Sequence, residues 1–414
     1  MKVVVCGAGL LGITSAYVLA SRGHEVEVIE RNASPAMETS YANGGQLSYS
    51  HAEPWANPTA LKKLPKWLLH EDSPLIFRLR ADLPMFIWGL KFLLNCTESR
   101  ARKNCVDMLR LGMYSRDKMA QIRAETNIDF DFKQAGILHI FSDERDLAQA
   151  VKQAEFQHNY GGDEKVISAG EALALEPTLA HSNKPLVGAI LAHLDESGDP
   201  KKYCEALAAY AEKKLGVVFH YNTTIHQIRA NNGKVEAIST DKGEFKGDAY
   251  VVALSSYSPL LLNKIGVRLP IYPMKGYSIT VPASEYAPNV SITDGSHKIV
   301  FSRLGDRLRV AGTAEFAGYN DTILASRINP IVKAARNLFP NIDWETNRTE
   351  WACLRPSTPD GPPRIGRTEI DNLFVNTGHG TLGWTQAAGS AYVLVDIMEH
   401  KTPTIRMHGN TFQQ

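Results

Sequence analysis

The sequence predicts an α/β protein in which a Rossmann-like dinucleotide-binding domain is combined with a discontinuous α+β domain built on an antiparallel sheet. Three observations predict it. Residues 2–30 read as strand, glycine turn, helix, strand and terminal acid; residues 266–354 alternate like antiparallel strands; and residues 373–399 repeat a strand, a glycine turn and a helix. On this reading, residues 1–50, 196–265 and 355–405 form the nucleotide domain, and residues 51–195 and 266–354 a substrate domain with a helical insertion.

The opening stretch runs from Lys2-Val-Val-Val-Cys6 into Gly7-Ala-Gly9-Leu10-Leu11-Gly12, then into a helical pattern ending at Arg22-Gly23. Gly7 permits the tight turn, Gly9 admits a pyrophosphate to the backbone, and Gly12 lets the helix pack closely on the strand. The helix N-terminus then faces the phosphates. Glu30 ends the second strand, Glu25-Val-Glu-Val-Ile29, about twenty residues past the glycines, where an acid suits a ribose diol and argues against a 2′-phosphate. The glycines and the β-alternation that follows argue against a secretory leader ending near Ala20.

A chain of 414 residues with 44% hydrophobic content can bury a sizeable core, and a formal net charge of +1 offers no electrostatic case for nucleic acid. The five cysteines are scattered and show no CxxC, so neither a disulfide framework nor a metal site is expected, and a reducing, cytoplasmic setting fits. No apolar run approaches the ~20 residues of a membrane span. Met85-Phe-Ile-Trp-Gly-Leu90 with Phe92-Leu-Leu94, and Leu64-Pro-Lys-Trp-Leu-Leu69, read as buried helix faces or as a shallow peripheral membrane contact.

In chain order, the small polar segment Ser40-Tyr-Ala-Asn43-Gly44-Gly45-Gln46-Leu47 lets the backbone press against a flat ligand. Residues 55–130 look helical, with prolines at 58, 65, 74 and 84 marking breaks before a long run over 100–123. A strand is expected at 136–141, a helix at 143–158, a capping box at Ser168 and Glu171, and a helix opened by Asp199-Pro200 and reaching Lys214. Strands at 216–220, 225–229, 235–239 and 249–254 return to the pattern of the first domain. Strands at 277–281, 298–302 and 308–311 and a helix at 325–338 form the separate layer. The closing turn, Gly378-His379-Gly380-Thr381-Leu-Gly383, presents another helix N-terminus, which favours electron density on a bound ring. It lacks a following strand and acid, so it is no second nucleotide unit.

Taken together, Gly7-Ala-Gly-Leu-Leu-Gly12, Glu38-Thr-Ser-Tyr-Ala-Asn-Gly-Gly-Gln46, Pro273-Met-Lys-Gly-Tyr277-Ser278, Leu354-Arg355-Pro-Ser-Thr-Pro-Asp-Gly361 and Asn376-Thr-Gly-His-Gly-Thr-Leu-Gly-Trp-Thr385 resemble the flavoprotein D-amino acid dehydrogenases. These lie within the wider group of D-amino acid oxidase, glycine oxidase and sarcosine oxidase. The resemblance covers nearly the whole chain and implies FAD held non-covalently in an extended pose. It implies Glu30 at the adenosine ribose, Arg31 near the adenine, Ile225 covering the adenine, and Ser40 near the phosphates. Asn43, Gly44, Gly45, Gln46 and Leu47 would lie along the flavin, and Gly378, His379, Gly380 and Thr381 would meet its pyrimidine end.

By the same resemblance Arg355 binds the substrate carboxylate, which a planar guanidinium grips bidentately, holding the α-carbon for hydride transfer. Tyr277 is a second candidate for that carboxylate. His379 reads as a flavin-contacting or structural residue rather than a base. Cys353 and Ser255-Ser256 stand where the group often has glycine. The implied reaction is oxidative deamination of a D-amino acid to a 2-oxo acid and ammonia, with a respiratory quinone as acceptor at the inner face of a membrane. Oxidation of secondary amines such as proline, hydroxyproline or sarcosine uses the same clamp. An NAD-linked dehydrogenase and a flavin-bound protein without turnover are the readings from other classes.

Overall fold

Alternation in the first strand decides the centre of the molecule. Val3 and Val5 of Lys2–Cys6 enter the core on one side, while Val4 and Cys6 enter a second core on the other. A strand buried on both faces belongs in the middle of a parallel sheet. The computed structural model, which describes residues 1–69, 73–408 and 412–413, shows this. The sheet runs Val218–His220, Glu25–Ile29, Lys2–Cys6, Ala249–Val252, Leu373–Thr377, Arg364–Arg367, Phe412–Gln413. The first five strands are parallel, and the direction reverses between Leu373–Thr377 and Arg364–Arg367. Strand order switches direction at Lys2–Cys6, so a crevice opens beyond its carboxyl end, where ligands of such sheets bind.

Helices Leu10–Ser21, Pro200–Leu215 and Gly383–Met398 cover one face. Helix Glu98–Thr126 docks on that same core through Leu111, Met119 and Ile122, and Ser115 Oγ accepts from Gly389 N at 3.0 Å. This helix falls in the segment grouped by sequence with the substrate domain, yet its apolar side is spent on the nucleotide sheet. Strands Ile225–Asn231 and Lys234–Thr240 correct a second expectation. They do not join the parallel sheet but form, with Gly243–Phe245, a three-stranded antiparallel sheet. The positive φ angles of Asn232 and Gly233, 47° and 76°, make the two-residue turn that folds them back on each other. Their Ile228, Val235 and Ile238 cover the second face of the main sheet.

The second large sheet runs Thr349–Ser357, Tyr272–Pro282, Arg307–Phe316, Ile299–Leu304, Ser291–Asp294, Ile137–Phe141, Gly188–Ala192, Glu164–Ile167, with Leu75–Phe77 pairing onto Arg307–Phe316. Helix Ala325–Leu338 lays Ile328, Ile331 and Leu338 on Tyr277, Ile279 and Val310. The expected capping box at Ser168 and Glu171 and the Asp199 cap of the Pro200 helix are both present. Pro65, read as a break, lies inside helix Pro58–Leu69. All five cysteines are buried and unpaired. No helix among the described residues is long and apolar enough to cross a membrane.

Candidate active site

One cavity of about 1140 Å³ joins the glycine turn after the first strand to the closing glycine turn and to the strands of the second sheet. It exceeds the ~300–1,000 Å³ usual for a drug-sized ligand, which leaves room for an extended dinucleotide and a small substrate together. At one end lie Gly7, Gly9, Leu10, Leu11, Glu30, Arg31 and Ile225. Gly12 is not on the wall because its work is packing: a Cβ there would lie 1.8 Å from Gly7 O, so only glycine lets the helix sit this close. A Cβ on Gly9 would meet only Ser40 Oγ, at 3.5 Å, so its Cα faces open space as a pyrophosphate cradle requires. Ser40 Oγ accepts from Leu10 N at 3.1 Å, tying the 38–46 loop to the helix N-terminus.

Glu30 is held in place by backbone N–H groups on both sides. Its Oε2 accepts from Ala8 N at 2.8 Å and its Oε1 from Asn32 N at 2.9 Å. Arg31 pairs with Glu38, and its Cζ lies 4.4 Å from the centre of the Tyr257 ring.

Asn43, Gly44, Gly45 and Gln46 line the middle of the cavity. Gln46 Nε2 donates to Ser291 Oγ at 3.0 Å and to Thr293 Oγ1 at 3.1 Å, which fixes this segment to the second sheet. Leu47 is fully buried in the main core, so only its backbone, paired with Glu196, borders the region. Beyond it stand His379, Gly380 and Thr381, whereas Gly378 is set back, its α-carbon turned toward Thr358. His379 is buried; its Nε2 shares a 2.7 Å hydrogen bond with Ser390 Oγ, and its Nδ1 has no partner among the described residues. Burial pulls its pKa down to about 3, so the ring stays neutral near pH 7 and serves no proton-accepting role that needs an ordinary imidazole.

Arg355 and Tyr277, expected together, are separated by strand alternation. Arg355 lies opposite Met274 in the sheet, and its guanidinium crosses the neighbouring strand above Gly276, where a Cβ would lie 2.4 Å from Cζ. The guanidinium lines the cavity and makes no hydrogen bond or ion pair with any described residue; burial holds its pKa below the ordinary arginine value. Arginine stays charged regardless, so the guanidinium puts a positive charge on the cavity wall.

Tyr277 points to the other face and is fully buried in the second core. Its hydroxyl donates to Glu315 Oε1 at 2.6 Å, beside Lys275 Nζ at 2.7 Å and Arg78 Nε at 2.7 Å. Burial pushes the Glu315 carboxyl up, but these donors leave it below its usual value, a closed structural network without access to the cavity. Tyr277 is therefore no carboxylate ligand.

The parts played by Gly276, Thr39 and the Ser255-Ser256 pair depend on tertiary contacts. Gly276 lies in the Pro273–Ser278 motif, but its task, making room for Arg355, depends on a strand partner about eighty residues away in sequence. Ser255 sits at φ +52°, which explains why glycine is usual there, and Ser256 Oγ and Thr39 Oγ1 both donate to Leu354 O, at 3.0 and 3.1 Å, fixing the strand that carries Arg355. Burial pushes the Cys353 thiol up to about 11, so it is inert.

Comparison with known proteins agrees with this geometry. Residues 2–397 match the family described as DAO, FAD dependent oxidoreductase. The chain is 45% identical over 410 residues to the D-amino acid dehydrogenase of Dechloromonas aromatica, covering 97% of this chain and 98% of the relative. It is 46% identical over 413 residues to that of Paramagnetospirillum magneticum, covering 99% and 97%. Among solved structures, glycine oxidase from Bacillus cereus superposes with a TM-score of 0.74 at 23% identity, covering 97% and 95% of the two chains. L-proline dehydrogenase from P. horikoshii gives 0.75 at 20%, covering 97% and 94%. These structures share the fold. The chain belongs to the DAO family of FAD dependent oxidoreductases, and its cofactor is FAD.

Proposed function

We propose that the chain oxidises D-amino acids to 2-oxo acids and ammonia and passes the electrons to a quinone-type acceptor. The observation that carries the reading is the unpartnered Arg355 guanidinium, laid over Gly276 in the cavity that also holds the dinucleotide cradle. The D-configuration rests on relatives of 45–46% identity that bear that name. FAD, when bound, supplies the acceptor for the hydride that leaves the substrate α-carbon.

The chain's own residues supply orientation. Arg355 fixes the carboxylate through two parallel N–H···O bonds, which sets the α-carbon at a defined distance from the Asn43 to Gln46 wall. Gly276 stands in register with Ala314, and Ala314 with Leu75, so these share the face beside the guanidinium. Buried Trp67 packs in the same apolar cluster. A substrate held by Arg355 therefore meets an apolar wall, which favours apolar side chains over acidic ones. Dye reduction by purified protein across paired D- and L-amino acids, with proline and sarcosine included, tests this. Turnover of apolar D-amino acids, lost by roughly 100-fold in Arg355→Lys because one ammonium cannot replace a planar fork, is expected. Equal turnover of L-enantiomers, preference for secondary amines, or an unimpaired Arg355→Lys would overturn it.

For the acceptor, the supporting observation is helix Leu83–Asn95. Met85, Trp88 and Phe92 pack inward, while Leu83, Phe86, Ile87, Leu90 and Leu94 are exposed, Leu83 at 69% and Leu90 at 61%. This spacing makes a continuous apolar strip, and exposed Lys62, Lys63 and Lys91 lie on this helix or the one before it. An apolar face with lysines suits shallow insertion into an anionic bilayer, where membrane quinones reside. Sedimentation with phosphatidylglycerol vesicles should be strong for the parent and lost in Phe86→Glu/Leu90→Glu, while dye-linked activity persists. Equal sedimentation of both would remove this helix from the membrane reading.

A further inference from the structure

The cavity has a second cluster of chemistry-bearing groups that amino acid oxidation does not use. It is built by the loop at residues 48–53, strand Ile137–Phe141 and the start of strand Glu164–Ile167. His51 Nδ1 lies 3.3 Å from Glu164 Oε1, and the His51 and His139 rings have centroids 4.9 Å apart. One ligand atom from each of His51, His139 and Glu164 lies within 4.8 Å of the other two, the only such grouping of metal-binding side chains among the described residues.

Two features separate this cluster from an incidental group of polar side chains. His139 is 6% exposed, and its Nε2 is buried with no hydrogen-bond partner. A buried imidazole nitrogen left unsatisfied is costly, so its position calls for a compensating ligand. The second feature is support behind the ligands. Fully buried Gln157 donates through Nε2 to Glu164 Oε2 at 2.6 Å and to Ser50 O at 2.9 Å, which locks the carboxylate as outer partners do at metal centres.

The surrounding charge is also suitable. Ser50 Oγ donates to Asp163, and Ser50 N donates to Asp195 Oδ1 at 3.0 Å. Asp163 and Asp195 thus stand behind Ser50, next to the loop that carries His51. Glu53 adds another acid near His51, and exposed Lys298 is the cation facing both histidines.

We propose that His51, His139 and Glu164 bind a divalent transition-metal ion, Zn²⁺ or a close analogue, with an open coordination position toward the cavity. Two imidazoles and a carboxylate are a donor set used by zinc sites that retain an exchangeable ligand. At metal–ligand distances of about 2.1 Å, tetrahedral ligand atoms stand about 3.4 Å apart. The present spread therefore closes by rotation of half-exposed His51 on its loop, while exposed Lys298 swings away. Cysteine spacing gives no reason to expect a metal in this chain. Here the ligands come from three distant segments and none is a cysteine.

The test uses flavin-loaded protein equilibrated with ZnCl₂, desalted and assayed for zinc by elemental mass spectrometry. The parent should retain one equivalent more than His51→Ala, with Glu164→Gln showing the same deficit against the background from surface histidines. Lys298→Ala should tighten Zn²⁺ binding by roughly threefold or more, because a like charge leaves the site, an effect that a purely structural cluster would not produce. His51 is half-exposed on a loop, so its variant carries the test even where His139→Ala fails to fold. Equal zinc retention by the parent and His51→Ala, or unchanged affinity in Lys298→Ala, would overturn the proposal.

Discussion

Replacing Gly276 by alanine probes the carboxylate clamp without touching the arginine. The added Cβ would lie 2.4 Å from Arg355 Cζ and 2.6 Å from Nη2, whereas ordinary contact begins at 3.4 Å. Gly276 is not among the residues with positive φ, so alanine suits the strand, and the flexible end of Arg355 is what must yield. The required displacement is about 1 Å, and a misplacement of that size costs about 100-fold in rate. This corresponds to about 2.7 kcal/mol of transition-state stabilisation. The assay is dye-linked kcat/KM for an apolar D-amino acid, with flavin absorbance and the urea midpoint recorded on the same preparations. We expect the activity loss with near-parental flavin content and stability. The decisive control is the cycle with Arg355→Ala: once the guanidinium is gone, Gly276→Ala should change kcat/KM by less than about twofold. A full additive loss in that background, or a Gly276→Ala enzyme as active as the parent, would refute the idea that Gly276 exists to seat Arg355.

Three further expectations follow from the same geometry. Tyr277→Phe should leave KM unchanged but cost about 1–2 kcal/mol in urea unfolding, because it removes one of the donors on buried Glu315; a raised KM would return Tyr277 to the substrate site. His379 has a native pKa of about 3 against about 6.5 unfolded, so below pH 6.5 the unfolded chain binds a proton that the native one refuses. Its contribution is complete above pH 6.5 and falls by up to about 1.4 kcal/mol per unit as pH drops toward 3; His379→Asn should flatten that slope between pH 6.5 and 5, and parallel stability curves would contradict it. Ser255→Gly should stabilise the chain by about 0.5–1 kcal/mol by relieving the left-handed backbone at φ +52°, since the side chain's contact to Leu354 O, at 3.5 Å, is weak; a lowered urea midpoint would show that contact to matter more.

Much of the fold was legible because local sequence and tertiary environment agree. The strand at 2–6, the turn at Gly7 and the close helix approach at Gly12 each have one low-energy use, and the structure uses them that way. The capping box at Ser168 and the cap at Asp199 were similarly readable, since a cap is satisfied within three residues. The strands expected at 225–229 and 235–239 are present, but they form a separate antiparallel sheet laid over the parallel one. Their alternation reports a buried face without saying against what, and the Asn232-Gly233 turn decides the pairing.

The sequence by itself determined a strand, glycine turn and helix with the acid Glu30 ending the second strand, and its family resemblance singled out Arg355 as the candidate carboxylate ligand. Tertiary structure decided which groups share a cavity. Arg355 and Tyr277 lie on adjacent strands, but the two-residue period of a strand sends one side chain into the cavity and the other into the core. His51, His139 and Glu164 meet because a sheet edge and a loop bring them together. Facing and pairing across a sheet are set by register between distant segments, and no local pattern in the chain encodes them.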